Sequence, residues 1–385
     1  MAKVRHTGKR WRWLAIVLLI GGAALPALDG YLARRALRDA LVARGVSGEQ
    51  LIIAAGWRRS RALFPVPGAP ALTADLRLYH GPYTGNATPG GAWGWLAAGG
   101  ELRDPHGPVA EVQGVLRLGG RFSLTTQWQN PPAVLNSVLD FRSVTMTLDG
   151  GLFSAPAQLR IAAEALHWRR ADLDIEIGRL ALGADWPPAA DQAWQLLADA
   201  STVALAPVRQ TNGSSIPTGA TAESGKLAID WQPGLGELTV NAELHKVAGG
   251  GGTLDIFAFS GAVAPLDPVA LGPTIAALPE STANPSLLFL PLLASRPVLT
   301  IERLTAAAGE QRFMLDGTLA PRPGGLSAQT HGGGAGEILE AVVRLYHFRR
   351  PLEPPAAATV LEQIRRQGWL QRRDSEWRAD IVINF

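Results

Sequence analysis

Two His-Gly-Pro triplets, His80-Gly81-Pro82 and His106-Gly107-Pro108, are the most distinctive chemistry-bearing motifs of the chain. An imidazole titrates near neutral pH and could serve as a general base or a metal ligand. The same triplet suits a strand end, because glycine permits a turn and proline cannot donate a further ladder bond. Its repetition favours the turn, since a turn device recurs along a sheet whereas a catalytic base is seldom duplicated. The other histidines, His6, His167, His245, His331 and His347, show no recognisable zinc-ligand spacing. The run Asp172-Leu173-Asp174-Ile175-Glu176 sets three carboxylates on one face of a strand, which suits a cation or simply water. There is no G-x-S-x-G elbow, P-loop or dinucleotide fingerprint, and no cysteine to act as nucleophile, thiolate ligand or disulfide partner. No catalytic, cofactor-binding or metal-binding residue is therefore assigned. For a hydrolase with a dispersed site, His80 is the best available base.

Other side chains suit binding rather than catalysis. Trp93 and Trp95 lie two apart in a glycine-rich stretch, and exposed tryptophans of this kind bind sugars, lipids or protein. Arginine groups recur at Arg34-Arg35, Arg58-Arg59-Arg61, Arg349-Arg350 and Arg372-Arg373. Of these, Arg34 and Arg35 stand closest to a hydrophobic amino-terminal run and are candidate contacts to anionic lipid headgroups.

The elements that must carry these residues follow from composition and periodicity. The chain has 385 residues, 47% apolar and 18% charged, which excludes a wholly disordered protein. Lys and Arg number 36 against 33 Asp and Glu, a net charge of +3, so no electrostatic case for nucleic-acid binding arises. Gly 43 and Pro 28 point to many turns between short strands.

Residues 1–12 carry Lys3, Arg5, Lys9, Arg10 and Arg12 without an acid, and Trp13–Leu28 follows without a charge. Sixteen helical residues reach roughly 24 Å, and counting from Trp11 to Leu32 brings the span to bilayer length. A transmembrane anchor over 13–32 is expected, with Trp13, Leu14, Leu18, Leu19, Leu25 and Leu28 as its anchoring residues. The basic cluster keeps residues 1–12 in the cytoplasm and places the rest of the chain on the far side. A cleaved signal peptide shares this pattern, but Ala24-Leu25-Pro26-Ala27 lacks the small residues that cleavage needs. Helical spacing of Leu32, Ala36, Leu37, Leu41 and Val42 continues the helix as a stalk over 33–45, ended by Gly45.

From residue 46 the period changes to two. Strands are predicted at 71–80, as pairs within 112–128, 144–161, 225–244 and 298–319, and at 171–186 and 253–263. Turns are expected at Gly119-Gly120, Asp149-Gly150-Gly151 and Pro233-Gly234. A short helix is predicted at 191–200, an apolar helix at 286–295, and amphipathic helices at 336–348 and 356–368. Segments 81–94, 209–225 and 248–252 read as loops. The fold class is mainly β with some α: an elongated, curved antiparallel sheet assembly with covering helices, preceded by the transmembrane helix. A β-rich region over 46–285 and an α+β region over 286–385 form its body.

Four stretches in order, GWRRSRAL (56–63), LRLYHGPY (76–83), LLFLPLLASRPVLTIERL (287–304) and LEQIRRQGWLQRRDSEWRADIVINF (361–385), resemble the YdgA-like bacterial inner-membrane proteins. That family's strand-His-Gly-Pro, helix-Arg-Pro-strand and terminal helix–turn–strand patterns are matched. Its members usually continue past the last strand, so the terminal hairpin is expected to be shortened. The phrase Leu315-Asp316-Gly317-Thr318-Leu319 also resembles repeats of AsmA-like envelope proteins. The resemblance implies a single-pass protein of the bacterial inner membrane with a β-rich periplasmic part, and it implies no chemistry. The expected function is that of a non-enzymatic envelope protein that binds a lipid or other apolar ligand along its sheet. The alternatives are a module that pairs with a protein partner through a sheet edge, and the dispersed-site hydrolase.

Overall fold

The computed structural model describes residues 7–67, 69–81, 94–132, 138–151, 154–169, 173–186, 192–207, 219–267, 269, 296–322, 325–347, 354–368, 370–373, 376–379 and 381–384, by backbone alone over 7–23 and at several strand and helix ends. Alternating apolar and polar residues dominate this chain, and among the described residues the structure is antiparallel β with three helices. It divides into two compact units, one of Met1–Ser137 with Ser143–Ala157, the other of Val138–Arg142 with Gln158–Phe385.

The first unit opens with helix α1 (Thr7–Ala43) and continues as a meander of β1 (Ile52–Ala54), β2 (Arg59–Val66), β3 (Ala69–His80), β4 (Gly94–Asp104), β5 (Gly107–Arg117), β6 (Arg121–Trp128) and β8 (Ser143–Gly151). The β4–β5 turn is closed by Asp104, whose Oδ1 accepts from the backbone N–H of His106 at 2.8 Å and of Gly107 at 3.0 Å. The second His-Gly-Pro triplet thus lies at a turn, as its sequence suggests, with an Asx contact from Asp104 that the triplet itself does not signal. Leu41, Val46 and Leu51 pack on Ala62, Phe64, Ala74 and Leu78 to form the core, so the carboxy-terminal half of α1 lies on the sheet. Gly45 ends the helix region at φ +89°, as its sequence position predicts. Among the described residues no helix is long and apolar enough to cross a membrane; most of the apolar run Trp13–Leu28 falls on positions of α1 whose side chains are not described.

The second unit contains β7 (Leu139–Asp140), β9 (Ser154–Arg169, its first four residues in the first unit), β10 (Leu173–Trp186), β11 (Trp194–Pro207), β12 (Ala220–Gln232), β13 (Glu237–Gly249), β14 (Gly252–Ala264), β15 (Val298–Ala308), β16 (Gln311–Arg322) and β17 (Gly325–Ala335). From β10 to β17 each strand pairs antiparallel with the next. Helices α2 (Gly336–Tyr346) and α3 (Pro354–Arg366) follow, then β18 (Gln371–Arg373), β19 (Glu376–Arg378) and β20 (Ile381–Asn384), the last two pairing with β17. Ile338 and Leu339 of α2 and Leu361 of α3 pack with Leu254, Ala306, Phe313 and Trp377. A Cβ on Gly252 would stand 2.5 Å from the Ala341 carbonyl, so glycine is what lets α2 approach the start of β14.

Several sequence expectations are corrected. The helix expected at 191–200 is not found among its described residues, 192–200: strand β11 begins at Trp194 and is paired on both sides. Leu196, Ala198 and Ala200 are half-buried while Gln195, Leu197 and Asp199 are exposed, a period-two pattern that pairing enforces over helix-forming composition. Asp149-Gly150-Gly151 lies within β8 rather than at its turn. The loop expected at 209–225 ends early, because β12 starts at Ala220. The loop at 248–252 is only a two-residue hairpin, Gly250-Gly251, at φ +56° and +82°. The apolar segment 286–295 lies outside the described residues.

Candidate functional site

Two arrangements deserve the name of site, one in each unit. In the first, the end of β3 meets α1. Gly81, at φ +110°, packs on Pro26, and a Cβ on Gly30 would stand 2.7 Å from His80 Cδ2 and 3.0 Å from Arg34 Nη1. Only a residue without a side chain lets the helix rest on the imidazole. His80 is 1% exposed and Ser60 4% exposed. Arg34 Nη1 donates to Ser60 Oγ at 3.0 Å, and Ser60 Oγ lies 2.8 Å from His80 Nε2. Arginine can only donate, so Ser60 Oγ accepts from Arg34, and the same hydroxyl is hydrogen-bonded to His80 Nε2, with the direction of that second bond set by the imidazole tautomer. His80 Nδ1 and Asp29 Oδ2 are both buried without a hydrogen-bond partner among the described residues.

A serine beside a histidine is the pairing of a nucleophile and its base. Here both are sealed beneath α1, and Ser60 already accepts from a guanidinium. The arrangement therefore joins helix to sheet rather than presenting a nucleophile. Burial, and then the Arg34 charge, push the His80 imidazole below its ordinary value. The neutral ring is thus favoured in the fold, and the unfolded chain takes up the proton first. This stability is fully present above the unfolded pKa of about 6.5 and is lost as pH falls from there through the lowered folded value. Thermal unfolding is expected to separate wild type from His80→Gln more at pH 8 than at pH 5.5. A difference independent of pH would contradict the neutral-ring assignment.

The second arrangement is an apolar sheet face. Leu182, Ala198, Leu227, Ala242, Phe259, Leu304 and Leu315 stand opposite one another strand by strand from β10 to β16. A parallel row on the same face holds Leu180, Ala200, Gly225, Leu244, Phe257, Ala306 and Phe313, and a third holds Ala184, Leu196, Ile229, Val240 and Gly261. The reverse face carries Asp199, Lys226, Glu243, Asn241, Ser260 and Arg303, interspersed with Ala228, Ala258 and the exposed Leu197 and Met314. Helices α2 and α3 cover the Ala306–Phe313 end of the apolar face. On β10–β13 the same face remains half-buried, at Leu180, Leu182, Leu196, Leu227, Ile229 and Val240. Glycine in these rows gives bulky neighbours room to lie flat: Leu244 Cδ2 leans over Gly225, and the Phe259 ring over Gly261.

No family model, curated protein or solved structure matches this chain.

Of the residues singled out in the sequence, His80 is brought together with Ser60 and Arg34, a grouping that no local motif signals. Arg34 is turned onto the sheet, whereas Arg35 is exposed and 3.8 Å from Asp39. Leu25 and Leu28 are exposed, and Trp13, Leu14, Leu18 and Leu19 lie on α1 at positions whose side chains are not described. His167 Nε2 reaches Asp174 at 3.9 Å and Glu176 at 4.0 Å, but among the described residues no three such groups could hold a metal ion. Asp172 and Trp93 lie outside the described residues, and Trp95 is exposed with its indole N–H on the Leu118 carbonyl at 3.2 Å. A cleft of about 1060 Å³ beside α2 and α3 is lined by Glu337, Glu340 and Glu362 together with Arg312, Arg366 and Arg372, a mixture of signs with no preferred ligand charge.

Proposed function

We propose that this is a membrane-tethered protein of the bacterial cell envelope that holds a lipid or another apolar ligand along the sheet of its second unit, without catalysing a reaction. The observation that carries the reading is the continuous apolar face of β10–β16, half-exposed over β10–β13, where every inward position is apolar or glycine while the reverse face mixes charged, polar and small residues with Leu197 and Met314. Such a face left in water costs about 25 cal/mol per Å² of apolar surface, which an acyl chain lying along it would recover. The tether rests on the basic residues 1–12 and the apolar run that follows; about 21 Å of α1 lies between Arg12 and Pro26, where the helix meets the sheet, and about 30 Å between Arg12 and Leu32, the thickness of a hydrocarbon core. The positive cluster then puts both units on the periplasmic side of the inner membrane. Organic extraction of the purified full chain followed by mass spectrometry tests the ligand. Lipid recovered above the level of an unrelated single-pass protein prepared in the same detergent is expected; recovery at the control level would count against the reading.

A further inference from the structure

We propose that the end of the first unit's sheet nearest α1 is itself a membrane-contacting surface that engages anionic lipid headgroups, an inference that rests on the membrane reading of α1. The meander brings one end of five strands together. Arg59 is opposite Tyr79, His80 opposite Leu96, Gly94 opposite Arg117, and Leu116 opposite Phe122. Backbone bonds tie the flanking residues into the same end: His80 N–H donates to the Arg58 carbonyl at 3.0 Å, and Gly81 N–H to the Trp95 carbonyl at 3.3 Å.

This end is apolar and basic together. Trp57 is 59% exposed, Leu118 42% and Trp95 38%. Arg58, Arg59, Arg117 and Arg121 are exposed beside them, and the segments 57–60, 79–81, 94–96 and 116–122 contain no acid. Exposed tryptophan with arginine, beside a single half-buried carboxylate at Asp29 of α1, is the composition of a surface that sits in a headgroup layer.

Its height relative to the bilayer follows from α1. Pro26 packs on Gly81 and Gly30 on His80, so the strand ends are level with helix residues 26–30. Counted from Arg12, the last of the basic residues, residues 26–30 stand about 21–27 Å along the helix, which brings the strand ends close to the outer boundary of a hydrocarbon core of about 30 Å, where the headgroups begin. Leu28, Tyr31 and Leu32 of this stretch are themselves exposed apolar side chains. The opposite end of the sheet, at the Asp104–Gly107 turn, lies a full strand length away and carries Glu101, Arg103 and Asp104.

The absence of cysteine makes the test clean. Single-cysteine variants Leu28→Cys, Trp57→Cys, Leu118→Cys and His106→Cys of the full chain, each bearing an environment-sensitive fluorophore, would be reconstituted into vesicles. The vesicles are phosphatidylcholine alone, or phosphatidylcholine with phosphatidylglycerol, and carry a spin-label quencher on the headgroup or deep in the acyl chain. The expected result is loss of fluorescence to the headgroup quencher at positions 57 and 118, greater with phosphatidylglycerol, with position 106 unquenched. If position 28 is quenched by the chain label while 57 and 118 behave like 106, the inference fails and the anchor stands. If position 28 is also untouched by the chain label, the anchor fails and the inference with it. Equal quenching at 57 and 118 in both lipid mixtures would overturn the recognition of anionic headgroups.

Discussion

Replacing Gly30 by alanine is expected to destabilise the first unit, even though the same change favours an isolated helix. Alanine exceeds glycine in helix propensity by about 1 kcal/mol, so a free stalk would be strengthened. In this fold the added Cβ would stand 2.7 Å from the His80 ring and 3.0 Å from Arg34 Nη1. The ring cannot swing aside, because it is buried and its Nε2 lies against Ser60. Either the helix lifts off the sheet or the Arg34–Ser60–His80 relay breaks, which leaves buried polar groups unsatisfied. A net loss of about 1–3 kcal/mol is expected, typical of overpacking. Thermal unfolding, with hydrogen exchange of the β2–β3 amides, reads both stability and docking. A rise in stability would mean that α1 does not rest on His80.

Placing a charge in the middle of the apolar face is expected to remove the ligand while leaving the fold. Phe259 is the natural target, since it stands opposite Ala242 and Leu304 in the central row and is only half-buried. Phe259→Glu forfeits about 2 kcal/mol of apolar contact, a roughly thirtyfold loss of affinity before the cost of desolvating the carboxylate. Glu243→Lys on the reverse face changes charge by more but touches no ligand. Lipid extracted with the protein is therefore expected to collapse for Phe259→Glu and to stay at the wild-type level for Glu243→Lys. Equal recovery from both would place the lipid elsewhere.

The fold was legible wherever apolar residues alternate over a full strand. Leu72, Ala74, Leu76 and Leu78 announce β3, and Pro233-Gly234 marks the β12–β13 hairpin, which turns between Gln232 and Glu237. Strands β4 and β17 are not legible in the sequence, because Gly99-Gly100 and Gly332-Gly333-Gly334 carry no side-chain period. Their neighbours impose the strand, with Leu315 opposite Gly332 and Phe313 opposite Gly334. Strand β11 was hidden by helix-forming leucines and alanines that two flanking strands override. At the helix–sheet junction, His80-Gly81-Pro82 was readable as a strand end. Its partners Ser60 and Arg34 are distant in sequence and share no motif, so their grouping exists only once α1 folds back along β2 and β3. The apolar face was foreseeable as a property of alternation, whereas its register across successive strands is set by hairpin geometry.

A photo-crosslinking side chain at Ala242, on the apolar face, compared with one at Asn241, its neighbour on the reverse face, tests the central claim most directly. After illumination in intact cells, mass spectrometry is expected to find lipid adducts at position 242 and none at 241. Adducts at 242 to protein alone, or lipid adducts at both positions alike, would contradict it.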